Sequence, residues 1–99
     1  MKSVRYHEAA EDELLNEIGY LERRANGLGR RFFTEVLRAQ DLIAQFPESS
    51  VEIMPGIRKR LLRKFQYSLI YTVEKDCLLV LAVAHHNRRP GYWVGRGSE

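Results

Sequence analysis

Residues 65–84 have the sequence FQYSLIYTVEKDCLLVLAVA, and this stretch decides the fold of the chain. Apolar and more polar side chains alternate from Phe65 to Val73, and this period of two predicts a strand with one wetter face. The polar residues 74–76 predict a turn, and the unbroken apolar run from Cys77 to Ala84 predicts a strand that is covered on both faces. We therefore expect two antiparallel strands, the second of them away from any sheet edge.

Two amphipathic helices are predicted upstream of these strands. Apolar residues recur every three or four positions within residues 10–25, which predicts a helix that begins at Glu8 and stops near Gly27. A second, wider apolar stripe predicts a helix from about Arg30 to Gln45, and Pro47 ends it because proline has no backbone N–H. The connection between the helices is so short that they must fold back as an antiparallel hairpin.

The remaining segments complete the predicted fold. Lys2–Tyr6 is predicted to be a first strand, Pro47–Gly56 a loop, and Ile57–Leu62 a further strand. The order of elements predicts an α+β fold in which the antiparallel αα-hairpin packs on one face of a small, mostly antiparallel β-sheet that includes the N-terminal strand. We expect one domain over residues 1–99, because a chain of this length has no room for a second core.

Composition excludes several classes of protein. Apolar residues make up 44% of the 99 residues and charged residues 29%, which is typical of a globular domain rather than a disordered chain. The longest apolar run, Cys77–Ala84, is too short to span a bilayer, and the N-terminus has no signal-peptide pattern. A single cysteine excludes a disulfide-stapled scaffold, and Cys77 is most simply a buried apolar residue. We therefore expect a cytoplasmic protein without a membrane partner.

Charge is distributed unevenly along the chain. Residues 1–55 hold 7 Lys/Arg and 10 Asp/Glu, a net charge of −3, whereas residues 56–99 hold 9 Lys/Arg and 3 Asp/Glu, a net charge of +6. Such asymmetry indicates that the basic half meets an anionic partner, either a nucleic acid or an acidic protein segment.

The segment that follows the apolar strand contains the most chemically versatile residues. Residues 85–96 have the sequence HHNRRPGYWVGR. The two histidines are candidates for a general acid and base, and the arginines suit phosphate or carboxylate groups. Tyr92 and Trp93 can stack on a base or anchor a partner, although Trp93 is better interpreted as a cap that folds back on the core.

No metal or cofactor site is expected. His85 and His86 are adjacent, so on a strand they point to opposite faces and cannot ligate one metal. No further ligand stands at metal-binding spacing, and the sequence has no phosphate loop, nucleophile elbow or dinucleotide fingerprint.

A second basic cluster lies on the predicted strand at 57–62. Arg58 and Arg60 share one face of that strand and Lys59 lies opposite, with Arg63 and Lys64 just beyond. The cluster is either a contact surface or a sheet edge protected by charge.

These residues together resemble the RelE/ParE toxin superfamily. The resemblance spans nearly the whole chain and rests on residues 27–32 (GLGRRF), Arg58, residues 65–71 (FQYSLIY), Val80–His85 and residues 88–96 (RRPGYWVGR). It implies the toxin half of a type II toxin–antitoxin (plasmid stabilisation) system, held inactive in a hetero-oligomer by a small cognate antitoxin.

The superfamily has two branches with different targets. RelE-like members are ribosome-dependent endoribonucleases that cleave mRNA without a metal, whereas ParE-like members bind and inhibit DNA gyrase and cause growth arrest. The nuclease pattern has an arginine directly after the tyrosine of the third strand, where this chain has Ser68 after Tyr67. It also has two lysines two positions apart, where this chain has Lys59 and Leu61. The resemblance therefore favours the ParE-like branch and leaves an enzymatic activity open.

Each branch implies its own set of site residues. For contact with gyrase or the antitoxin the candidates are Arg58, Arg60, Arg63, Arg88, Arg89, Tyr92, Trp93 and Arg96. For the nuclease alternative, acting on ribosome-bound mRNA, the candidates are Lys59, His85, His86, Arg88 and Tyr92.

Overall fold

The computed structural model describes residues 2–97, which form two helices and one five-stranded sheet. The elements in chain order are β1 (Ser3–Tyr6), α1 (Glu8–Arg24), α2 (Leu28–Gln45), β2 (Val51–Met54), β3 (Ile57–Leu61), β4 (Tyr67–Val73) and β5 (Cys77–His85). The strand order is β1-β5-β4-β3-β2; β1 runs parallel to β5, and the other neighbours are antiparallel. The predicted α+β fold, with a hairpin and a mostly antiparallel sheet, is confirmed.

The main core lies between the hairpin and the sheet. Phe32, Val36 and Ile43 of α2 are fully buried there, as are Leu69 of β4 and Val80 of β5. Five strands with one face under helices bury enough apolar area to hold β4 and β5 rigidly at the centre of the molecule. Among residues 2–97, no helix is long and apolar enough to cross a membrane.

The helix junction is tighter than the sequence suggested. The second helix begins at Leu28, two residues before the predicted start, because Gly27 adopts a left-handed φ of 83°. The Glu22 carboxylate accepts hydrogen bonds from the N–H groups of Gly27 (2.8 Å) and Gly29 (3.0 Å), which α2 cannot satisfy internally. A Cβ atom at Gly29 would lie 2.4 Å from the Ile18 carbonyl oxygen, so the helices cross at a distance that only glycine allows.

One predicted loop contains a strand. Residues 47–56 were expected to lack regular structure, but Val51–Met54 pair with β3 as the outermost strand of the sheet. The register shifts between Glu52 and Met54, and the turn that follows is tied down by Thr72, whose hydroxyl donates to the Gly56 carbonyl at 2.7 Å. A four-residue strand is too short for a period of two to be read from sequence, which is why the prediction was wrong.

The start of β4 also differs from the prediction. It begins at Tyr67 rather than Phe65, because Lys64 adopts a left-handed φ of 65° and turns the chain. Phe65 still contributes to the core, since its ring packs edge-on against Phe32 with centroids 5.3 Å apart.

A β-bulge in β5 gives the second face of the sheet its own apolar cluster. Ile70 pairs with Ala82 and Tyr71 with Val80, so Leu81 has no residue opposite it on β4. Leu81 and Ala82 therefore both contribute to the cluster on the face away from the helices. Trp93 folds back onto this cluster and is only 5% exposed, which confirms the predicted cap. The strand Cys77–His85 is internal to the sheet, and Cys77 is buried, as expected.

Candidate functional site

A cavity of about 180 Å³ lies on the sheet face opposite the helices, and we call it the sheet-face cavity. Strands β2 to β5 form its floor, and the C-terminal segment after β5 forms its wall. Four candidates for the nuclease alternative line this cavity: Lys59, His86, Arg88 and Tyr92. His85, the fifth candidate, borders it as well, but its ring lies on the other side of the sheet. Arg89 and Trp93, from the contact set, line it as well.

A buried serine stands at the floor of the sheet-face cavity. Ser68, at the position where the nuclease pattern has an arginine, is 1% exposed. Its hydroxyl oxygen lies 2.9 Å from Nε2 of His86, whose backbone N–H donates to the Gln66 carbonyl at 2.9 Å. The serine therefore orients the histidine ring and, unlike an arginine, offers no cation of its own to a phosphate.

His85 is held on the other side of the sheet, as predicted for adjacent residues of a strand. Its ring packs edge-on against Tyr67 with centroids 4.8 Å apart, and its Nδ1 accepts a hydrogen bond from the Asn87 N–H at 2.9 Å. The Tyr67 hydroxyl donates to Glu17, and burial followed by this carboxylate raises the pKa of Tyr67 above its usual range. Because Nδ1 accepts this hydrogen bond, Nε2 is the ring nitrogen of His85 that remains for another partner.

The C-terminal wall is fastened through Tyr92 and Arg96. Two guanidinium groups lie close to the Tyr92 ring, with 3.9 Å from its centroid to Arg88 and 5.1 Å to Arg96. Burial, followed by the nearby Glu13 carboxylate, raises the pKa of Tyr92 to about 12. A phenol that holds its proton this tightly is poorly suited to proton transfer near neutral pH.

Glu13 and Arg96 complete the free edge of β5. Strand β1 pairs with β5 only as far as Val80, so the next residues of β5 have no strand beside them on that side. Arg96 donates to the Leu81 carbonyl at 3.0 Å, and Glu13 accepts from the Val83 N–H at 3.0 Å. The two side chains also form an ion pair at 3.1 Å. Arg96, which was predicted as a contact residue, therefore holds the C-terminal segment against β5 and α1.

The second basic cluster lies apart from the sheet-face cavity. As predicted, Arg58 and Arg60 share one face of β3, which is the helix side, while Lys59 lies opposite. Arg58 donates to the carbonyls of Ser50 (2.7 Å) and Glu48 (3.2 Å), and Arg60 donates to the Ser49 hydroxyl at 3.2 Å. These guanidinium groups hold the loop before β2, and the structure does not bring them to Arg88 and Arg89.

Arg63 lies at a different surface, a groove of about 540 Å³ between α2 and residues 63–65 that sequence reasoning missed. Glu35 organises this groove: it accepts two hydrogen bonds of 2.7 Å from Arg38 and one of 2.6 Å from the Arg63 N–H. The hydrogen bonds from Arg38 outweigh the effect of burial and, with the Arg63 N–H, hold the pKa of Glu35 below its usual range. Glu35 and Arg63 are 28 positions apart in sequence, so no local pattern indicates that they lie side by side in this groove.

Within residues 2–97, no group of three or more His, Cys, Asp or Glu side chains is arranged to hold a metal ion. What the sheet-face cavity offers instead is cationic and aromatic contact. Arg88 and Arg89 are both exposed residues of its lining, and Arg88 lies over the ring of Tyr92.

Comparison with known proteins identifies the family. A chain from a solved structure described as "Chromosomal ParDE TA system from P. aeruginosa" superposes with a TM-score of 0.72 at 14% identity, covering 86% of this chain and 96% of that one. At this identity the likeness establishes the shared fold. No curated protein matches the sequence. The model of the family described as "ParE toxin of type II toxin-antitoxin system, parDE" matches residues 4–90. The chain therefore belongs to the ParE toxin family and is the toxin of a type II toxin–antitoxin system with a cognate antitoxin as its partner.

Proposed function

We propose that this toxin acts in the cytoplasm by binding and inhibiting DNA gyrase, and that its antitoxin prevents this by covering the toxin. One observation carries the proposal: the position where the nuclease branch has an arginine is occupied by Ser68, which is buried and bonded to His86. Without that arginine, Lys59 is the one cation that strands β2 to β5 contribute to the cavity, which leaves less positive charge to stabilise a cleaving phosphodiester than the nuclease pattern supplies.

The nuclease alternative has one observation in its favour. Lys59, His86 and Arg88 converge on the same cavity, so a phosphate could be bound there. Tyr92, another candidate for the nuclease alternative, weakens it, because its phenol has a pKa of about 12 and its ring is already in contact with the Arg88 and Arg96 guanidinium groups. A cluster of cations can bind an anion, but catalysis also needs a general acid and a general base whose pKa values suit proton transfer. A cluster without them is better suited to a contact surface.

Exposed charge at the rim of the sheet-face cavity supports a binding mode of action. Arg89 is exposed, and its side chain has no hydrogen bond or ion pair with any residue in the 2–97 range. Arg88 is exposed too and already oriented by the Tyr92 ring. Guanidinium groups placed in this way can pair with carboxylate or phosphate on the target.

Inhibition of supercoiling by the purified toxin tests the proposal. Arg89→Ala should raise the concentration needed for half inhibition of gyrase roughly 10–150-fold, since a hydrogen bond to a charged group contributes about 1.5–3 kcal/mol. His86→Ala should inhibit as the unchanged protein does. The matched control is Arg23→Ala, which removes an exposed arginine from the last turn of α1, far along the chain from the basic half.

A translating-ribosome assay with the same proteins distinguishes the two branches. The proposal expects intact mRNA at toxin concentrations that abolish supercoiling. Cleaved mRNA with unaffected gyrase, and loss of cleavage in His86→Ala, would establish the nuclease alternative instead.

A further inference from the structure

A third groove, of about 500 Å³, lies between α1 and the start of β4, and it connects the two cavities described above. It shares Lys64 and Phe65 with the groove beside α2. It shares His85 and Arg88 with the sheet-face cavity. The three cavities therefore form one continuous surface that runs past the connection between β3 and β4.

Exposed cations line this surface from the groove beside α2 to the sheet-face cavity. We call five of them the basic strip: Arg24, Arg31, Arg63, Lys64 and Arg88. None of the five forms an ion pair with a carboxylate among residues 2–97. Their charge is therefore available to an anion from outside the molecule.

The two acidic residues beside the basic strip already have partners. Glu35 accepts hydrogen bonds from Arg38 and from the Arg63 N–H. Glu17 accepts the hydroxyl proton of Tyr67. Neither carboxylate pairs with a cation of the strip, so the strip keeps a net positive charge.

Lys64, which lines two of the grooves, has a backbone conformation that disfavours a lysine. Its φ of 65° lies in the left-handed region, where glycine is adopted at lower cost. Its side chain is exposed and forms no hydrogen bond or ion pair with the residues that the structure describes. Packing thus gives no reason for a lysine here, whereas an anion bound across both grooves does.

The repetition of cations along the strip indicates a ligand with repeated negative charge. Double-stranded DNA carries about one negative charge per 1.7 Å of its axis, and lysine and arginine side chains neutralise these phosphates. Recognition of single strands would also need exposed aromatic rings on which bases stack. Among the described Phe, Tyr and Trp residues that line the three cavities, Tyr20 alone is exposed, so the strip suits a phosphate backbone better than unpaired bases.

We infer that the basic strip binds the phosphate backbone of duplex DNA. The inference rests on the proposed function, since DNA is the substrate of gyrase and a toxin bound to gyrase lies close to it. The toxin then contacts the enzyme and the DNA that the enzyme holds.

The salt dependence of DNA binding by the purified toxin tests the inference. Fluorescence anisotropy of a labelled duplex of about 20 base pairs gives the association constant between about 50 and 200 mM salt. If all five cations pair with phosphates, the logarithm of this constant should fall with the logarithm of salt concentration with a slope of roughly −4 to −5. Affinity should not depend on the sequence of the duplex, because phosphates carry no sequence information.

A double variant, Arg31→Ala with Arg63→Ala, removes two cations from the strip. It should weaken DNA binding at least about tenfold and make the slope shallower by about 2. The matched control is Arg23→Ala with Arg30→Ala, which removes two exposed arginines that neighbour the strip in sequence and line none of the three cavities. The control should bind DNA within about twofold of the unchanged toxin.

Lys64→Gly separates a role in binding from a role in folding. It should weaken DNA binding about fivefold or more, since one phosphate contact is lost. It should leave the protein equally or more resistant to urea, because glycine relieves the left-handed backbone at this position. A lysine with a merely structural role would not produce these opposite effects.

Three results would overturn the inference. The first is a toxin that fails to bind duplex DNA at about 50 mM salt. The second is displacement of the DNA by poly-glutamate at equal charge concentration, which would indicate an acidic protein surface as the ligand. The third is tighter binding of single-stranded RNA than of duplex DNA, with the same loss in the double variant, which would assign the strip to the nuclease alternative.

Toxin binding to gyrase in the absence of DNA distinguishes this inference from the gyrase proposal. The Arg31→Ala, Arg63→Ala variant should bind DNA-free gyrase as the unchanged toxin does. It should lose the tighter binding that added DNA gives to the unchanged toxin. Failure of the unchanged toxin to bind gyrase at all would refute the gyrase proposal, whereas equal tightening by DNA in both proteins would refute the role of the basic strip.

Discussion

Glu13 of α1 should be the residue outside the C-terminal wall on which the position of that wall depends most. Its carboxylate accepts the Val83 N–H and pairs with Arg96, and the two side chains are only 14% and 19% exposed. Glu13→Ala leaves the Val83 N–H without an acceptor, at a cost of about 1–3 kcal/mol. Breaking a fully buried ion pair costs about 3–5 kcal/mol, and the partial exposure of this pair reduces that figure to roughly 1–2 kcal/mol.

Together these effects should lower the free energy of unfolding by about 3 kcal/mol, a large part of the ~5–15 kcal/mol typical of a small domain. The melting temperature of a domain of about 100 residues should then fall by roughly 12–20 °C. Urea unfolding followed by circular dichroism measures the loss. The control, Asp12→Ala, removes an exposed carboxylate from the next position of α1.

A double-mutant cycle with Arg96→Ala isolates the pair. We expect a coupling free energy of about 1–2 kcal/mol between the two positions. A loss below about 0.5 kcal/mol for Glu13→Ala, or additive single substitutions, would show that Glu13 does not fasten the C-terminal wall.

Three further predictions follow from the contacts described above. Gly29→Ala should destabilise the protein by about 2 kcal/mol or more because its Cβ would meet the Ile18 carbonyl at 2.4 Å. Gly19→Ala, which meets only the flexible end of Arg23, should be neutral or stabilise by up to about 1 kcal/mol; thermal melts compare the two. The pKa of Glu35 is lower in the folded protein than in the unfolded chain, where it is about 4.3. Ionised Glu35 therefore stabilises the fold at pH values above about 4.3, and this stabilisation is lost as the pH falls through the folded-state pKa. The difference in urea midpoint between the unchanged protein and Glu35→Gln should therefore shrink from pH 6 to pH 3, and a constant difference would contradict the assignment. The raised pKa of Tyr92, about 12, gives stability that is present below pH ~10 and lost as pH rises towards 12; absorbance titration at alkaline pH should show one late-ionising phenol missing in Tyr92→Phe.

The helical hairpin and the two long strands could be predicted because their signals are local. The stripe from Ala10 to Ala25 and the alternation from Phe65 to Val73 repeat often enough to define a period. Strand β2 could not be predicted, since four residues do not define a period and its partner strand is brought to it by the turn at Gly56.

The candidate site was predictable in composition and only partly in arrangement. Alternation along a strand placed His85 and His86 on opposite faces, and it placed Lys59 opposite Arg58. The sequence does not show whether an arginine is available to a partner or already pairs with a residue that is distant in the chain. Arg96 pairs with Glu13 across 83 positions of sequence, and no local pattern indicates that contact.

Gyrase-catalysed supercoiling in the presence of the purified toxin tests the central claim most directly. The account predicts that the unchanged toxin and His86→Ala abolish supercoiling at similar concentrations, that Arg89→Ala needs at least about tenfold more, and that added antitoxin restores the reaction. Supercoiling that proceeds normally at toxin concentrations sufficient to cleave ribosome-bound mRNA would contradict it.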